Sequence, residues 1–359
     1  MIEFLEKFSE EMTVLANEEK MQAAQNVKIS LLSKLDDWDG VTGPVDKDLR
    51  QVVVQKTSII DGYTYVLQHV AGDNFVYRGQ NGNNVSFNKQ IPVLHLAGNA
   101  AGHTQTLEYA GRPGQWFVGT KPNDLNPTWS TWSKQIALIK IPHYFRITAN
   151  TKMQPRLSNL NYAGADLGIG CAGNQFARVE AAVSPDLRYF LLAYGDNDYT
   201  GYFALYYLAE INKALDEAAT ASKYVDIRTI NSLAAFKIPQ FSGRVGLIGS
   251  LQGFAIDNNR TIYVSSQFAD DRLGQNRKIV KIPWGEADPA FWELVNLASE
   301  NKLEIPGYYT ELEGIQLAAV NDLYLTVAYH QYFDPTALGK HPTKINQLYE
   351  ITWDSNSNF

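Results

Sequence analysis

One unit recurs along this chain and limits what it can fold into. A Gln or Glu opens a run of β-branched and aromatic residues, a turn follows, and a second such run passes through the position eleven residues on. Gln55 opens "QKTSIIDGYTYVLQH", turning at Asp61-Gly62, with Val66 at that offset. Gln105 opens "QTLEYAGRPGQWFVGT" with Trp116, and Glu180 opens "EAAVSPDLRYFLLAYG" with Leu191. Gln252 opens "QGFAIDNNRTIYVSSQ" with Tyr263, and Glu313 opens "EGIQLAAVNDLYLTVAYH" with Tyr324. Each copy has the composition of a β-hairpin, with strand formers bounded by Gly, Pro, Asn or Asp. A third apolar element follows each hairpin: "VLHL" (93–96), "LIKI" (138–141), "LYYL" (205–208), "IVKI" (279–282) and "LYEI" (348–351).

Five units of at least three strands, their openings 50, 75, 72 and 61 residues apart, predict an all-β, five-bladed propeller. A sandwich also uses many hairpins, but it has no need of the same polar residue at the start of each. The uneven spacing requires insertions, and two helix-like stretches supply them, residues 209–224 and 286–302. The last unit stops soon after "LYEI", whereas "NVKISLLSKL" (26–35) is strand-like and precedes the first unit. Residues 26–33 are therefore expected to close the last blade, removing an open sheet edge. Residues 26–359 then form one domain. Residues 1–25 form a separate N-terminal helix, in which Ile2, Leu5, Phe8, Met12 and Leu15 make an apolar stripe. Glu3, Glu6, Glu10 and Glu11 on its polar face disfavour anionic lipid, so the stripe is expected to dock on the propeller or on a second copy of the chain.

In a propeller the first strand of each blade lines the central channel. Gln55, Gln105, Glu180, Gln252 and Glu313 should then form one ring of three carboxamides and two carboxylates around the axis. Buried groups of this kind need hydrogen-bond partners. The plain expectation is a structural plug, in which Glu180→Gln costs about one hydrogen bond, ~1 kcal/mol. A sharper alternative is a Ca²⁺ or Na⁺ site with Glu180 and Glu313 as candidate ligands, since oxygen donors suit hard cations. A third is hydrolysis: Glu180 and Glu313 are the natural carboxylate pair, and ~6–9 Å across a narrow ring is an inverting spacing. Three of the five positions carry Gln, which cannot exchange protons, and that weighs against catalysis.

A net charge of −7 argues against nucleic acid, which needs a basic face. The single Cys171 permits neither an intrachain disulfide nor a Cys-based zinc site. No apolar run has transmembrane length, and the N-terminus lacks the pattern of a Sec signal peptide. There is no nucleophile elbow, P-loop or dinucleotide fingerprint. "GDNDYTG" (195–201) begins like an EF-hand loop but carries Tyr207 where the bidentate Glu belongs, so it reads as a turn. "DDWDG" (36–40) likewise reads as a solvated turn. His103, beside a ring-bearing strand, and His330, ending a second strand, are candidates for a binding surface. Of 20 Tyr and seven Trp, most should pack between blades, and any exposed at loops would suit stacking on sugar rings.

Several of these segments, "AGHTQTLEYAG", "GQWFVGTKP", "EAAVSPD", "LQGFAIDNNRTIYVSSQ", "IVKIP" and "LTVAYH", resemble the helveticin J family of class III bacteriocins. The similarity runs from about Asn26 to Trp353, and the first 25 residues depart from the family pattern. The resemblance implies a large antibacterial protein released by lactic acid bacteria or their relatives and lethal to related Gram-positive cells. Some members sit instead on the producer's surface, so a secreted or cell-surface location is implied. No catalytic residues come with it. The expected partner is a cell-envelope glycan or surface receptor, met by a bacteriocin or a non-lethal adhesin, with a glycan-cleaving hydrolase of the cell wall as the alternative.

Overall fold

The computed structural model describes residues 16–39, 52–88, 92–121, 132–141, 154–220, 224–243, 246–267, 277–332 and 343–355. They form five sheets set radially as a five-bladed propeller. Blade I runs Val54–Ile60, Tyr63–Val70, Asp73–Gln80 and Leu94–Leu96 from the axis outward. Blade II runs Leu107–Tyr109, Gln115–Thr120, Gln135–Lys140 and Arg156–Ser158. Blade III runs Phe176–Val183, Tyr189–Asp196, Gly201–Tyr207 and Ala234–Ile238. Blade IV runs Phe254–Ile256, Ile262–Ser266, Lys278–Ile282 and Glu293–Asn296. Blade V takes Tyr308–Ala319, Asp322–Gln331 and Thr343–Asp354 from the C-terminal part and Gln25–Asp39 as its fourth strand, with Asn84–Asn88 paired beyond it.

The cohesion comes from period-two alternation, which sends successive side chains to opposite faces of a blade. In "QWFVGT" Trp116 and Val118 pack towards blade I, while Phe117 packs towards blade III. In "IYVSS" Ile262 and Val264 face blade III and Tyr263 faces blade V. The result is five apolar clusters, one at each junction between neighbouring blades. The second and third strands of the blades are largely buried on both faces, which accounts for their nearly continuous apolar runs.

The ring is closed by the N-terminal segment. Lys28–Leu31 pair with Tyr349–Thr352 in antiparallel register, so the strand containing "LYEI" is covered by residues from the start of the chain. Just before it, Gln22 and Ala23 lie parallel to Glu293 and Leu294 of blade IV. Residues 22–23 are thus a short strand, not part of a helix running to residue 25; helical conformation among the described N-terminal residues is confined to 16–18. The apolar stripe from Ile2 to Leu15 lies outside the described residues.

Three local expectations need correction. "VLHL" is the outer strand of blade I, because Asp73–Gln80 takes the third position and pairs with both Tyr63–Val70 and Leu94–Leu96. Residues 286–302 hold no α-helix: Pro289–Phe291 make a single 3₁₀ turn, and Glu293–Asn296 then completes blade IV. "DDWD" continues a strand, with Asp37, Trp38 and Asp39 paired to Ser86, Phe87 and Asn88. The other insertion does contain a helix, Leu208–Thr220, whose Leu208, Ile211, Leu215 and Ala218 fall on one face and are buried between blades II and III. Among the described residues no helix is long and apolar enough to cross a membrane.

Candidate functional site

Four of the five opening residues lie where an inner strand starts or its ladder slips, and Glu180 stands in regular register opposite Ala193. The ladder slips at Gln55, between Val54 and Lys56, and again between Leu312 and Ile315, which brackets Glu313. Such bulges re-aim a side chain that regular pleating would send into a blade face. Gln105 and Gln252 stand just before their strands start. Two glycines following ring residues permit the close approach. A Cβ on Gly253 would lie 2.7 Å from the Gly314 Cα, and one on Gly314 would lie 2.8 Å from the Gln55 carbonyl oxygen.

Gln105 is the hub. Its Nε2 approaches Gln55 Oε1 at 3.2 Å, Gln252 Oε1 at 3.3 Å and Glu313 Oε2 at 3.1 Å. Its Oε1 accepts from Arg178 Nη2 at 2.7 Å, and the same nitrogen donates to Glu180 Oε1 at 2.9 Å. The other Glu180 oxygen accepts from the Thr104 hydroxyl at 2.7 Å, the Thr106 hydroxyl at 2.6 Å and the Gln105 amide at 3.1 Å. All five ring residues are buried, Glu180 and Glu313 to 1% exposure. Burial, reinforced by nearby Glu311, raises the Glu313 carboxyl well above the usual carboxylate range, against the opposing pull of the Gln105 amide and Arg178.

A stack of flat groups joins the ring at the same end of the channel. The His103 ring lies 4.0 Å from that of Trp132 and 5.3 Å from that of His69, all nearly parallel. The Arg178 guanidinium sits 3.9 Å from the centre of the Trp132 ring. His103 Nε2 meets Gln55 Oε1 at 2.8 Å. Burial, with Arg178 and His69 adding to it, lowers the His103 imidazole to about 3, so it is neutral at physiological pH. His330 is buried, not on an open surface; its Nε2 meets Glu311 Oε2 at 2.9 Å and its ring stacks on Tyr309. In "GDNDYTG" the Asp196 Oδ1 accepts from the backbone of Asp198 and Thr200, which makes this stretch a self-capped turn.

Arg178 is the residue that reasoning from the repeat missed. It precedes Glu180 by two positions, and alternation puts both on one face of the strand, so "ARVE" carried the signal. It supplies a fixed positive charge beside the carboxylate, and an oxygen-ligated cation there would share Glu180 with it. Among the described residues no three His, Cys, Asp or Glu side chains converge as metal ligands. Lys56 was also passed over: it is 1% exposed, donates to the Ile315 carbonyl and pairs with Glu108 at 2.6 Å, tying blade I to blades II and V.

Solved structures similar to this chain include the tail fibre of Staphylococcus aureus phage P68, at a TM-score of 0.48 and 11% identity. That match covers 91% of this chain and 53% of the fibre. The catalytic domain of a Coprinopsis cinerea GH62 α-L-arabinofuranosidase matches at a TM-score of 0.43 and 10% identity, over 93% of this chain and 98% of that domain. In sequence, the chain is 38% identical over 327 residues to the bacteriocin helveticin-J of Lactobacillus helveticus, covering 85% of this chain and 93% of that protein. The model of the bacteriocin helveticin-J family matches residues 23–354, a span that takes in all five blades and the closing strand, and the chain belongs to that family.

Proposed function

We propose that this protein is an antibacterial bacteriocin, secreted or held at the cell surface, that recognises a glycan of the bacterial cell envelope without cleaving it. The observation that carries the reading is the 38% identity to helveticin-J across nearly the whole propeller. The chemistry of the ring supports recognition over hydrolysis. Glu180 is held by Arg178 and three further donors, and both glutamates are buried where a sugar ring has no approach. One feature favours hydrolysis as a second reading: a carboxyl raised towards neutrality at Glu313 shares a site with an ion-paired carboxylate at Glu180.

Incubating the purified chain with isolated Gram-positive cell walls, teichoic acid and peptidoglycan tests the reading. Saturable retention on one of them, together with growth inhibition of the strain that supplied the walls, is expected. Inhibition without retention on any envelope fraction would overturn it.

A further inference from the structure

We propose that the cleft between blades IV and V, on the face opposite the ring, binds an uncharged oligosaccharide. The assignment rests on the glycan reading above and names a place for it. Gln252 precedes the inner strand of blade IV and Glu313 lies within that of blade V, whereas this cleft is built from the turns that follow those strands: Asp257–Thr261 of blade IV and the turn at Val320–Asn321 of blade V. Its volume is about 540 Å³, within the usual range for small-molecule sites.

The walls are amphipathic in the way a sugar requires. Phe291 and Val320 line the cleft and are 56% and 51% exposed. Phe291 is not a stray surface side chain, because its 3₁₀ turn is fixed on both sides. Asp288 Oδ1 accepts from the Ala290 amide at 3.0 Å, Pro289 stands at the first helical position, and buried Trp292 donates to the Glu286 carbonyl at 3.1 Å. An exposed aromatic on a braced turn beside a polar cleft is suited to stack on the apolar face of a pyranose. Thr261, Asn259 and Glu286 bring hydroxyl, carboxamide and carboxylate groups to the same cleft.

Lys281 and Asp257 on the floor are bonded within the chain, which points away from a ligand bound through its charge. Lys281 Nζ donates to Asn321 Oδ1 at 2.9 Å and Ser355 Oγ at 3.0 Å, and lies 3.4 Å from Glu293 Oε2. The Asp257 carboxylate accepts from the backbone of Asn259 and Thr261 and from the Tyr263 hydroxyl. These bonds also brace the two turns, so the cleft is formed in advance of any ligand.

Titrating the full chain with tri-N-acetylchitotriose, cellotriose and glycerol 3-phosphate, followed by calorimetry and ligand-observed NMR, tests the assignment. One of the neutral trisaccharides is expected to bind saturably. Phe291→Ala, at an exposed position and with unchanged melting temperature, is expected to weaken it about tenfold, and Thr261→Val to weaken it as well. Binding of neither trisaccharide, binding untouched by both substitutions, or a preference for glycerol 3-phosphate would overturn the proposal. So would a dimer that Phe291→Ala converts to monomer, since the cleft would then be a contact between copies. Wall retention by a native protein that binds no trisaccharide overturns the cleft and leaves the proposed function standing. Loss of trisaccharide binding in a cleft variant with wall retention intact overturns the cleft as the place where the envelope glycan is held.

Discussion

Arg178 and Glu180 change what the polar ring costs to alter. Taken as one member of a hydrogen-bonded ring, Glu180 would be replaceable by Gln at a loss of about 1 kcal/mol. Its carboxylate instead balances a guanidinium that is 13% exposed. Removing one partner of a buried ion pair leaves the other charge uncompensated, and ~3 kcal/mol is the usual order of that loss. Glu180→Gln should therefore lower the unfolding free energy by ~3 kcal/mol in a denaturant titration. A smaller loss in the double substitution Arg178→Met with Glu180→Gln than in Glu180→Gln alone would confirm that the stranded charge is the cause. His103 gives a second residue-scale test. Its imidazole titrates at about 3 when folded and near ~6.5 when unfolded. Between those values the unfolded chain binds the additional proton, so stability present at neutral pH is lost as pH falls. The raised Glu313 carboxyl acts in the opposite sense, because there the folded state holds the proton longer. A difference measurement separates the two. Relative to His103→Gln, the native chain should lose about 1 kcal/mol per pH unit between pH ~6 and ~4, read from denaturation midpoints.

Among the elements, the N-terminal segment carries the most. Gln25–Asp39 closes blade V, Gln22–Ala23 extends blade IV, and Glu18 pairs with Lys278, whose side chain is 3% exposed. Two truncations should therefore differ. Removing residues 1–24 strips the partner from a buried lysine and should lower the melting temperature by several degrees while the propeller stays folded. Removing residues 1–35 exposes the edge of Thr343–Asp354 and should give aggregated chain, read by light scattering. A folded, monomeric chain lacking residues 1–35 would contradict ring closure. The blades and their closing strand were legible in sequence because hairpin period, turn residues and a repeated polar opening all agree. Where local pattern is ambiguous, the reading failed. "FWELVN" alternates well enough for a strand, yet its flanking acidic and small residues resemble a helix. "VLHL" fits the third-strand pattern, but order within a blade depends on which strand pairs with which. Arg178 escaped because the eleven-residue offset marks one position per hairpin and is silent on its neighbours.

At the scale of the whole molecule, five blades and a latched N-terminus make a rigid body with two distinct faces. One carries the plugged ring and its aromatic stack, the other the cleft beside Phe291. The ring residues are joined by their own hydrogen bonds, and on such a scaffold specificity lies in turns and loops. The proposed recognition of an envelope glycan without cleavage is open to a direct test. The most direct measurement takes purified protein on dye-labelled walls of a sensitive strain and follows, in one sample, retained protein and soluble dye or reducing ends. Saturable retention is expected, with soluble product at the level of buffer however long the incubation. Soluble product that accumulates in proportion to time and protein, and disappears in a folded Glu313→Gln variant, would contradict it.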